Sequence, residues 1–409
     1  RPAVLICTSG TAVTNYYPAV VEARQSGVPM ILATADRPPH LRATGANQAI
    51  DQHNIFGDYP VLFHDVGEPR LGDKDLNRLS MLGQQAVHTS QEKRGPVHLN
   101  FPFRKPLEPE KKIFKKDNPT PSNHNSPKRS ANSFSITLSK DLKNDISLSE
   151  RPLIIVGPLA PDDNTTCITQ IADRIRAPIL SESAIDHDNT IRWFSGFLRN
   201  ENLRAELNPD LILRFGFQPT SKSLESGLTN WSPDNHYHFA STGQWQDATF
   251  SGAERVAWMG NAIQIDEIES KSHPDWIKKW KTFEKKFGRH VDQSFKQEPK
   301  LTDGAIYHTF TSQIPPDHFI SVSNSFPARD IHLFGKQSAR LPLFQNRGAS
   351  GIDGITSTAI GLSLGLDRPG ILFTGDLAFL HDTNALLNHN KLEQSLTVIV
   401  INNAVGNIF

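Results

Sequence analysis

Short apolar runs alternate with longer amphipathic stretches along the first part of the chain. The runs lie at residues 4–7, 30–35 and 97–99, and the amphipathic stretches include residues 15–26 and 76–89. Short apolar runs bounded by turn residues are typical of buried strands, and longer periodic stretches are typical of helices. Their alternation predicts βα units that form a parallel sheet.

The same alternation returns in two further segments. One contains apolar runs at residues 153–157, 178–181 and 211–216 and loses its pattern near residues 298–300. The other opens at Thr302, a predicted N-cap. Its predicted helices are residues 305–313 and 355–364, and its predicted strands are residues 318–322, 343–345, 371–374 and 396–401. We therefore predict an α/β protein with three doubly wound parallel-sheet domains.

Residues 106–135 separate the first two segments and have neither periodicity. Five prolines are mixed there with lysines and other polar residues, which favours a solvated linker over a patch that binds polyanions. We divide the chain into α/β domains at residues 1–105, 150–298 and 302–409, with a linker over residues 106–149. Because predicted strands lie close to both ends, we expect the first and last domains to be incomplete and the chain to be a fragment.

Composition argues against several classes of function. The 43 basic and 43 acidic side chains balance, so no net field attracts nucleic acid or an anionic membrane. The two cysteines, Cys7 and Cys167, are too few for a disulfide framework and indicate a reducing, cytoplasmic setting. No apolar run approaches the length that spans a bilayer. The sequence predicts a soluble protein without a nucleic-acid or membrane partner.

Two polar pairs follow predicted strands near the end of the chain. Gly375 and Asp376 follow the strand at residues 371–374, and Asn402 and Asn403 follow the strand at residues 396–401. Carboxyl ends of parallel strands share one edge of a sheet, where ligands bind. A carboxylate, an amide oxygen and a loop carbonyl suit Mg²⁺ held together with a ligand's phosphates. The alternative is a helix N-cap and a turn.

Two loops rich in small residues resemble anion cradles. Residues 8–12 (TSGTA) join a strand to a helix, and residues 345–354 (QNRGASGIDG) precede another helix. Helix N-termini after such turns offer free N–H donors and close backbone approach. A plain βα turn is the alternative for the first loop. In the second, Ile352 is either a core residue or an apolar prop beneath a cofactor.

Cations follow two other strands. Arg37 leaves a strand beside two prolines, which suits a fixed carboxylate clamp; pairing with Asp36 or Asp51 is the alternative. Ser325 and Arg329 lie one helical turn apart after the strand at residues 318–322, where a helix cap and a solvated arginine are the alternative.

Taken in order, these strings resemble one family. The strings TSGTA, TADRPP, GANQAI, QNRGASGIDG, GDL and NN begin at residues 8, 34, 45, 345, 375 and 402. They are similar to those of the 2-succinyl-5-enolpyruvyl-6-hydroxy-3-cyclohexene-1-carboxylate synthases, thiamine diphosphate enzymes of menaquinone biosynthesis. The resemblance covers residues 1–409 and is strongest in the outer domains.

The resemblance implies a domain plan and a metal site. Residues 1–105 correspond to the pyrimidine-binding domain, residues 150–298 to the central domain and residues 302–409 to the diphosphate-binding domain. The family binds thiamine diphosphate between subunits, which implies a homodimer or homotetramer. The implied ligands of Mg²⁺, with Mn²⁺ as the alternative ion, are Asp376, Asn403 and the backbone carbonyl of Val405.

The resemblance also implies roles for single residues. The cofactor-binding positions are Gly10, Thr11, Asn346, Gly348, Ile352, Gly375, Leu377 and Ile408. The substrate-binding positions are Arg37, Asn47, Gln48, Lys222, Ser325, Arg329, Arg347 and Phe409, of which Gln48, Ser325, Arg329 and Arg347 are also expected to be catalytic. The implied reaction removes CO₂ from 2-oxoglutarate and adds the succinyl-semialdehyde carbanion to isochorismate.

Two departures from the family pattern affect this expectation. The family's activating glutamate lies upstream of the TSGTA turn and is absent, so we expect the chain alone to be inactive. Ser223 stands beside Lys222 where some relatives have a second cation. The alternatives are an acetolactate synthase-like enzyme or 2-oxo acid decarboxylase of the same superfamily, and a non-catalytic cofactor-binding or nucleotide-binding protein.

Overall fold

The computed structural model describes most of the chain as two compact units. The described residues are 1–70, 72–105, 107, 135–160, 163–240, 247–258, 260–265, 268–297, 301–336 and 341–403. Within these ranges, one unit comprises the residues up to 107 together with Arg347–Ala349, and the other comprises the remainder. None of the helices in the described ranges is both long and apolar enough to cross a membrane.

The first unit is built on a parallel sheet. Its strands are β1 (Ala3–Cys7), β2 (Met30–Asp36), β3 (Leu62–Asp65) and β4 (Pro96–Pro102), and its helices are α1 (Thr11–Thr14), α2 (Tyr17–Gln25) and α3 (Asp73–Glu92). The strands lie in the order β1-β2-β4-β3 with parallel pairing. Leu82 and Ala86, one turn apart on α3, join Val97 and Leu99 of β4 in the core.

The second unit contains two larger sheets, the first of which has five strands. The strands of this part are β5 (Ile136–Thr137), β6 (Pro152–Val156), β7 (Ile179–Ser181), β8 (Leu211–Phe215), β9 (Asn235–Ala240), β10 (Glu254–Ala257) and β11 (Ile263–Gln264). The helices are α4 (Lys140–Leu148), α5 (Thr166–Ile175), α6 (Phe194–Phe197), α7 (Glu201–Glu206), α8 (Lys222–Asn230) and α9 (Pro274–Gln297). The large sheet has the order β10-β9-β8-β6-β7. All residues of β6 and β8 are buried, as expected of a parallel sheet covered on both faces.

Part of the expected linker is folded. Residues 106–149 were expected to connect domains, but β5 and α4 lie within that range. Leu142 and Ile146 of α4 are buried in the core of the five-stranded sheet. The proline-rich composition that suggested a linker ends before this helix, and Ser139 caps it by accepting a hydrogen bond from the Leu142 N–H.

A four-stranded parallel sheet completes the second unit. Its strands are β12 (Phe319–Val322), β13 (Leu343–Gln345), β14 (Gly370–Gly375) and β15 (Leu396–Ile401), and its helices are α10 (Asp303–Thr311), α11 (Phe326–Phe334), α12 (Ile355–Leu366) and α13 (Asp376–His381). The order is β13-β12-β14-β15. The predicted α/β class with parallel sheets is confirmed. We call the sheets of β1–β4, β6–β10 and β12–β15 the first, central and third sheets.

Candidate active site

The carboxyl edge of the third sheet brings together the ends of four parallel strands. Gly375 of β14 pairs with Ile401 of β15, and Val322 of β12 pairs with Gln345 of β13 and Phe373 of β14. Asp376 and Asn402 therefore directly follow residues that are paired across the sheet. The register places Asp376 and Asn402 at one edge of the sheet, and the metal site shared by Asp376 and Asn403 stays a prediction.

Asp376 stands at the start of a helix rather than within a strand. It is half-buried and is the first residue of α13, with Gly375 at the N-cap position. The Gly375 N–H donates to the Ser323 hydroxyl at 3.2 Å, which ties this turn to the end of β12. Leu377 follows on α13 with 52% of its surface exposed. The edge thus carries a carboxylate and an exposed apolar side chain side by side.

A buried amide that the sequence reasoning did not assign to the site organises the neighbouring loop. The Asn324 Nδ2 donates to the carbonyl of Asn346 at 2.8 Å and to the carbonyl of Gly351 at 2.6 Å. The Asn346 side chain in turn donates to the Thr358 hydroxyl at 3.0 Å. Asn324 therefore joins both ends of the small-residue loop to the end of β12. Its signal in the sequence is an asparagine two residues after a buried strand.

Ser325 has a backbone conformation that is uncommon for a residue with a side chain. Its φ is 69° and its ψ is −129°, and it occupies the N-cap position of α11 without a side-chain cap hydrogen bond. Ser325 therefore occupies the cap position of the alternative, but its hydroxyl does not cap the helix. Such backbone strain persists only where the surroundings enforce it, and it clusters at functional sites. Arg329, exposed one turn later, lies over the Phe326 ring at 5.9 Å from its centroid.

The loop at residues 346–354 holds a carboxylate with two backbone donors. The N–H groups of Gly348 and Ala349 donate to the two carboxylate oxygens of Glu22 at 2.8 and 2.7 Å, and all three residues belong to the first unit. Arg347 precedes them and is half-buried. Ile352 exposes 43% of its surface, so the alternative that it is a core residue is wrong. The loop binds an anion through its backbone and presents an apolar side chain to solvent.

The first unit brings Gly10 and Gln48 together. Gly10 has a φ of 83° at the N-cap of α1, where Thr11 is exposed. The Gln48 side chain donates to the Ser9 carbonyl at 3.3 Å, and its Cγ would lie 3.6 Å from a Cβ added at Gly10. The predicted helix over residues 15–26 instead begins at Tyr17. The TSGTA turn thus uses the conformational freedom of Gly10 and packs against the GANQAI loop.

Arg37 is held by the same loop and not by an acidic side chain that the sequence suggested. Its Nε donates to the Asn47 carbonyl at 3.0 Å. The Asp36 carboxylate instead accepts from Arg42 at 2.9 Å, and Arg42 also pairs with Asp65 at 2.9 Å. Pairing of the Arg37 guanidinium with Asp36, the alternative considered for this residue, is therefore wrong.

Lys222 is paired with an acidic side chain of its own helix. The Lys222 ammonium at the start of α8 pairs with Glu225 at 2.7 Å and is largely exposed. Ser223 beside it is buried and donates to the Ser195 carbonyl at 2.8 Å. Val405, Ile408 and Phe409 lie outside the described residues. Within the described ranges no group of three His, Cys, Asp or Glu side chains suits a metal; the expected site needs only one carboxylate.

Comparison with known proteins agrees with the residue patterns. Residues 1–55 match the family described as thiamine pyrophosphate enzyme, N-terminal TPP binding domain. The Bacillus velezensis 2-succinyl-5-enolpyruvyl-6-hydroxy-3-cyclohexene-1-carboxylate synthase is 35% identical over 421 residues, which cover 100% of this chain and 73% of that protein. Synthases of the same name are similar too. The Synechococcus elongatus protein is 36% identical, with 100% of this chain and 72% of that protein covered. The Haloquadratum walsbyi protein is 33% identical, with 99% and 74% covered.

Such identity over the whole chain extends well beyond the short motifs and includes the central domain, where the motifs are weak. The chain therefore belongs to the 2-succinyl-5-enolpyruvyl-6-hydroxy-3-cyclohexene-1-carboxylate synthase family of thiamine diphosphate-dependent transferases.

Proposed function

We propose that this protein is a thiamine diphosphate- and Mg²⁺-dependent carboligase that decarboxylates 2-oxoglutarate and adds the product to isochorismate. The product would be 2-succinyl-5-enolpyruvyl-6-hydroxy-3-cyclohexene-1-carboxylate of menaquinone biosynthesis. The observation that carries this proposal is the register of β14 and β15, because it supports one ligand edge shared by Asp376 and the Asn402-Asn403 pair. A homodimer or homotetramer in the cytoplasm belongs to the same proposal.

The residues present fit the proposed metal and diphosphate. Asp376 and Asn403 offer the hard oxygen donors that Mg²⁺ prefers, and the Val405 carbonyl is the third proposed ligand. Mn²⁺ is the alternative ion, since it accepts the same donors. The paired N–H groups of Gly348 and Ala349 donate to the protein's own Glu22 carboxylate, so their arrangement suits an anion, and a bound diphosphate would have to replace Glu22 there.

The residues proposed to hold the rest of the cofactor carry no charge. They are Gly10, Thr11, Asn346, Gly375, Leu377, Ile352 and Ile408. The exposure of Ile352 and Leu377 supports contact with an aromatic or apolar group, because large apolar side chains beside a polar edge are typical of ligand sites. When bound, thiamine diphosphate supplies the carbon nucleophile and electron sink that allow a 2-oxo acid to lose CO₂.

The cations of the chain are proposed to bind the carboxylates of the two substrates. Both 2-oxoglutarate and isochorismate are dicarboxylates, and guanidinium groups bind carboxylates through two parallel hydrogen bonds. Arg37, Arg329 and Arg347 are the proposed clamps. Arg329 is exposed and lies over the Phe326 ring, so its guanidinium is accessible to a substrate carboxylate. Lys222 would have to break its ion pair with Glu225 before its ammonium group could bind a substrate carboxylate.

Polar groups without charge are proposed to orient the reacting atoms. Ser325 and Gln48 both have positive φ, at 69° and 55°, and both are exposed or half-exposed. A side chain at such a position projects from a turn that is costly to form, which supports a role in binding. Asn47 contributes its carbonyl to Arg37 and so sets the direction of that guanidinium.

The experiment that tests this proposal measures CO₂ release from 2-oxoglutarate by the complete protein that contains this chain. Thiamine diphosphate and Mg²⁺ are present throughout, and isochorismate is added or omitted. We expect CO₂ release coupled to formation of an isochorismate adduct. Release of CO₂ with a free aldehyde and no adduct would identify a 2-oxo acid decarboxylase instead. Cofactor binding without any turnover would leave only a binding protein.

A further inference from the structure

A buried side-chain amide lies beneath the Gly10 turn. Gln52 has no exposed surface. Its Oε1 accepts from the Gly10 N–H at 2.8 Å, and its Nε2 donates to the Ala35 carbonyl at 3.0 Å and to the Asn100 Oδ1 at 3.1 Å. Both N–H bonds and the oxygen of this amide are therefore used, as burial demands. Gln52 connects the turn after β1 to the ends of β2 and β4.

A second buried amide extends the connection to a carboxylate. Asn100 of β4 also has no exposed surface, and its Nδ2 donates to the Asp36 carboxylate at 2.9 Å. The other Asp36 oxygen accepts from the Arg37 N–H at 2.7 Å. One continuous set of hydrogen bonds therefore runs from the Gly10 N–H through Gln52, Asn100 and Asp36 to the backbone of Arg37. We call this set the amide network.

The surrounding donors and acceptors fix the orientation of both amides in the network. The Thr34 hydroxyl donates to the Asn100 Oδ1 at 3.1 Å, so its 2.8 Å contact with His98 requires the His98 Nε2 to donate. This places a ring proton on the His98 Nε2. Burial lowers the pKa of His98 to about 4, which agrees with a neutral ring. Neither amide can exchange its oxygen and nitrogen without placing like groups together.

We propose that Gln52 is a positioning residue that holds the Gly10 turn in the conformation required by the aminopyrimidine of thiamine diphosphate. This inference rests on the proposed function, which assigns Gly10 to the cofactor. The Gly10 N–H is buried, so without the Gln52 oxygen the turn must move to find another acceptor. Because the amide network also reaches Arg37, the cofactor turn and the substrate clamp share one internal support.

The test compares cofactor binding by variants at two buried sites of the first unit. Gln52→Glu keeps the shape of the side chain but turns an oxygen toward the Ala35 carbonyl and the Asn100 oxygen. We expect the dissociation constant of thiamine diphosphate with Mg²⁺, measured by calorimetry on the complete protein, to rise about tenfold or more. The near-ultraviolet circular dichroism of the bound pyrimidine should change as well, because the Gly10 turn that contacts it would have shifted.

Ser90 provides a matched control at the opposite end of the first sheet. It is also fully buried, accepts from the Met30 N–H at 3.0 Å and donates to the Gly95 carbonyl at 2.8 Å. Ser90→Ala should lower the melting temperature but leave the cofactor dissociation constant within about twofold. Gln52→Met is the second variant, because it removes the hydrogen bonds without burying a charge. It replaces Gln52→Glu in the comparison if that variant does not fold.

The outcomes separate the inference from the function on which it rests. Failure of the unsubstituted protein to bind thiamine diphosphate would reject the proposed function itself. Binding by the unsubstituted protein with unchanged affinity in the folded Gln52 variants would reject only the positioning role. Equal loss of affinity in Ser90→Ala and the Gln52 variants at equal loss of melting temperature would show that general destabilisation is the cause, and would also reject it.

Discussion

The carboxyl edges of the first and third sheets organise their polar groups differently. At the first, Gln52 and Asn100 are fully buried and every group of the amide network has a partner. At the third, Ile352 and Leu377 are exposed and Ser325 has a strained backbone. A buried network in which every group is hydrogen-bonded rigidifies its surroundings. The exposed side chains of the third edge are instead accessible to a ligand. The first edge is therefore fixed by buried amides throughout, whereas the third combines a loop fixed by Asn324 with exposed side chains that a ligand can contact.

The largest test of this comparison removes the carboxylate of the third edge. Asp376→Ala should abolish Mg²⁺-dependent binding of thiamine diphosphate, a loss of about a hundredfold or more in affinity, because no other carboxylate directly follows β14. Calorimetry with and without Mg²⁺ measures the effect. Asp382→Ala is the control, since Asp382 binds the Ser357 N–H and hydroxyl at 2.7 and 3.0 Å. Retained affinity in Asp376→Ala would overturn the metal assignment.

The next test removes a proposed carboxylate clamp from the same edge. Arg329→Ala should cost about 2–5 kcal/mol of transition-state stabilisation, because the substrate carboxylate would lose its charged partner. The measurement is kcat/KM for 2-oxoglutarate and for isochorismate. Arg368→Ala is the matched control, since the Arg368 Nε donates to the Asp317 carbonyl at the amino edge of the sheet. Unchanged kcat/KM for both substrates would remove Arg329 from the site.

A third test uses acid to loosen the first edge. Burial lowers the pKa of His98 from 6.5 to about 4. The neutral ring therefore stabilises the folded state fully above pH 6.5, and this stability is lost as pH falls toward 4 because the unfolded chain takes up the proton first. Relative to His98→Gln, the free energy of unfolding should fall by about 2 kcal/mol between pH 7 and pH 5. The measurement is the free energy of unfolding from urea titrations at several pH values. The same pH dependence in the unsubstituted protein and in His98→Gln would contradict this prediction.

The smallest effect is expected beside Arg329, where acid acts in the opposite direction. Burial, and then proximity to Asp303, raise the pKa of Asp330 from 3.8 to about 6. The unfolded chain loses this proton first, so stability falls as pH rises from about 4 to 6. Asp330→Asn should raise the free energy of unfolding by about 1–2 kcal/mol at pH 7 and by little below pH 4. Equal gains at both pH values would point to packing rather than charge.

The strands and their edges could be predicted because their signals are local. The apolar runs ending before Asp376 and Asn402 appear as β14 and β15, and their parallel order follows from the helices between strands. The pairing of Arg42 with Asp36 could not be predicted, for a physical reason. Successive residues of an extended chain point in opposite directions, so Arg37 turns away from Asp36 and Arg42 returns after the turn at Pro39–Leu41.

The buried amides could not be predicted because their partners are remote in the chain. Gln52 and Gly10 are 42 residues apart, and Gln52 and Asn100 are 48 apart. Their contact depends on β4 lying next to β2, which periodicity does not specify. Asn324 poses the same difficulty, since the carbonyls it binds belong to a loop more than 20 residues later. Gln52 lies in a loop, Asn100 lies within β4 and Asn324 follows β12 by two residues, so no shared local pattern marks them.

The backbone of Ser325 has a consequence for how this protein would respond to selection for heat resistance. Glycine adopts a φ of 69° and a ψ of −129° without the steric penalty that serine incurs. A screen that rewards melting temperature alone should therefore enrich glycine at position 325, whereas a screen that rewards turnover should restore serine. Opposite outcomes of the two screens at this position would show that the Ser325 hydroxyl is retained for activity although it lowers thermal stability.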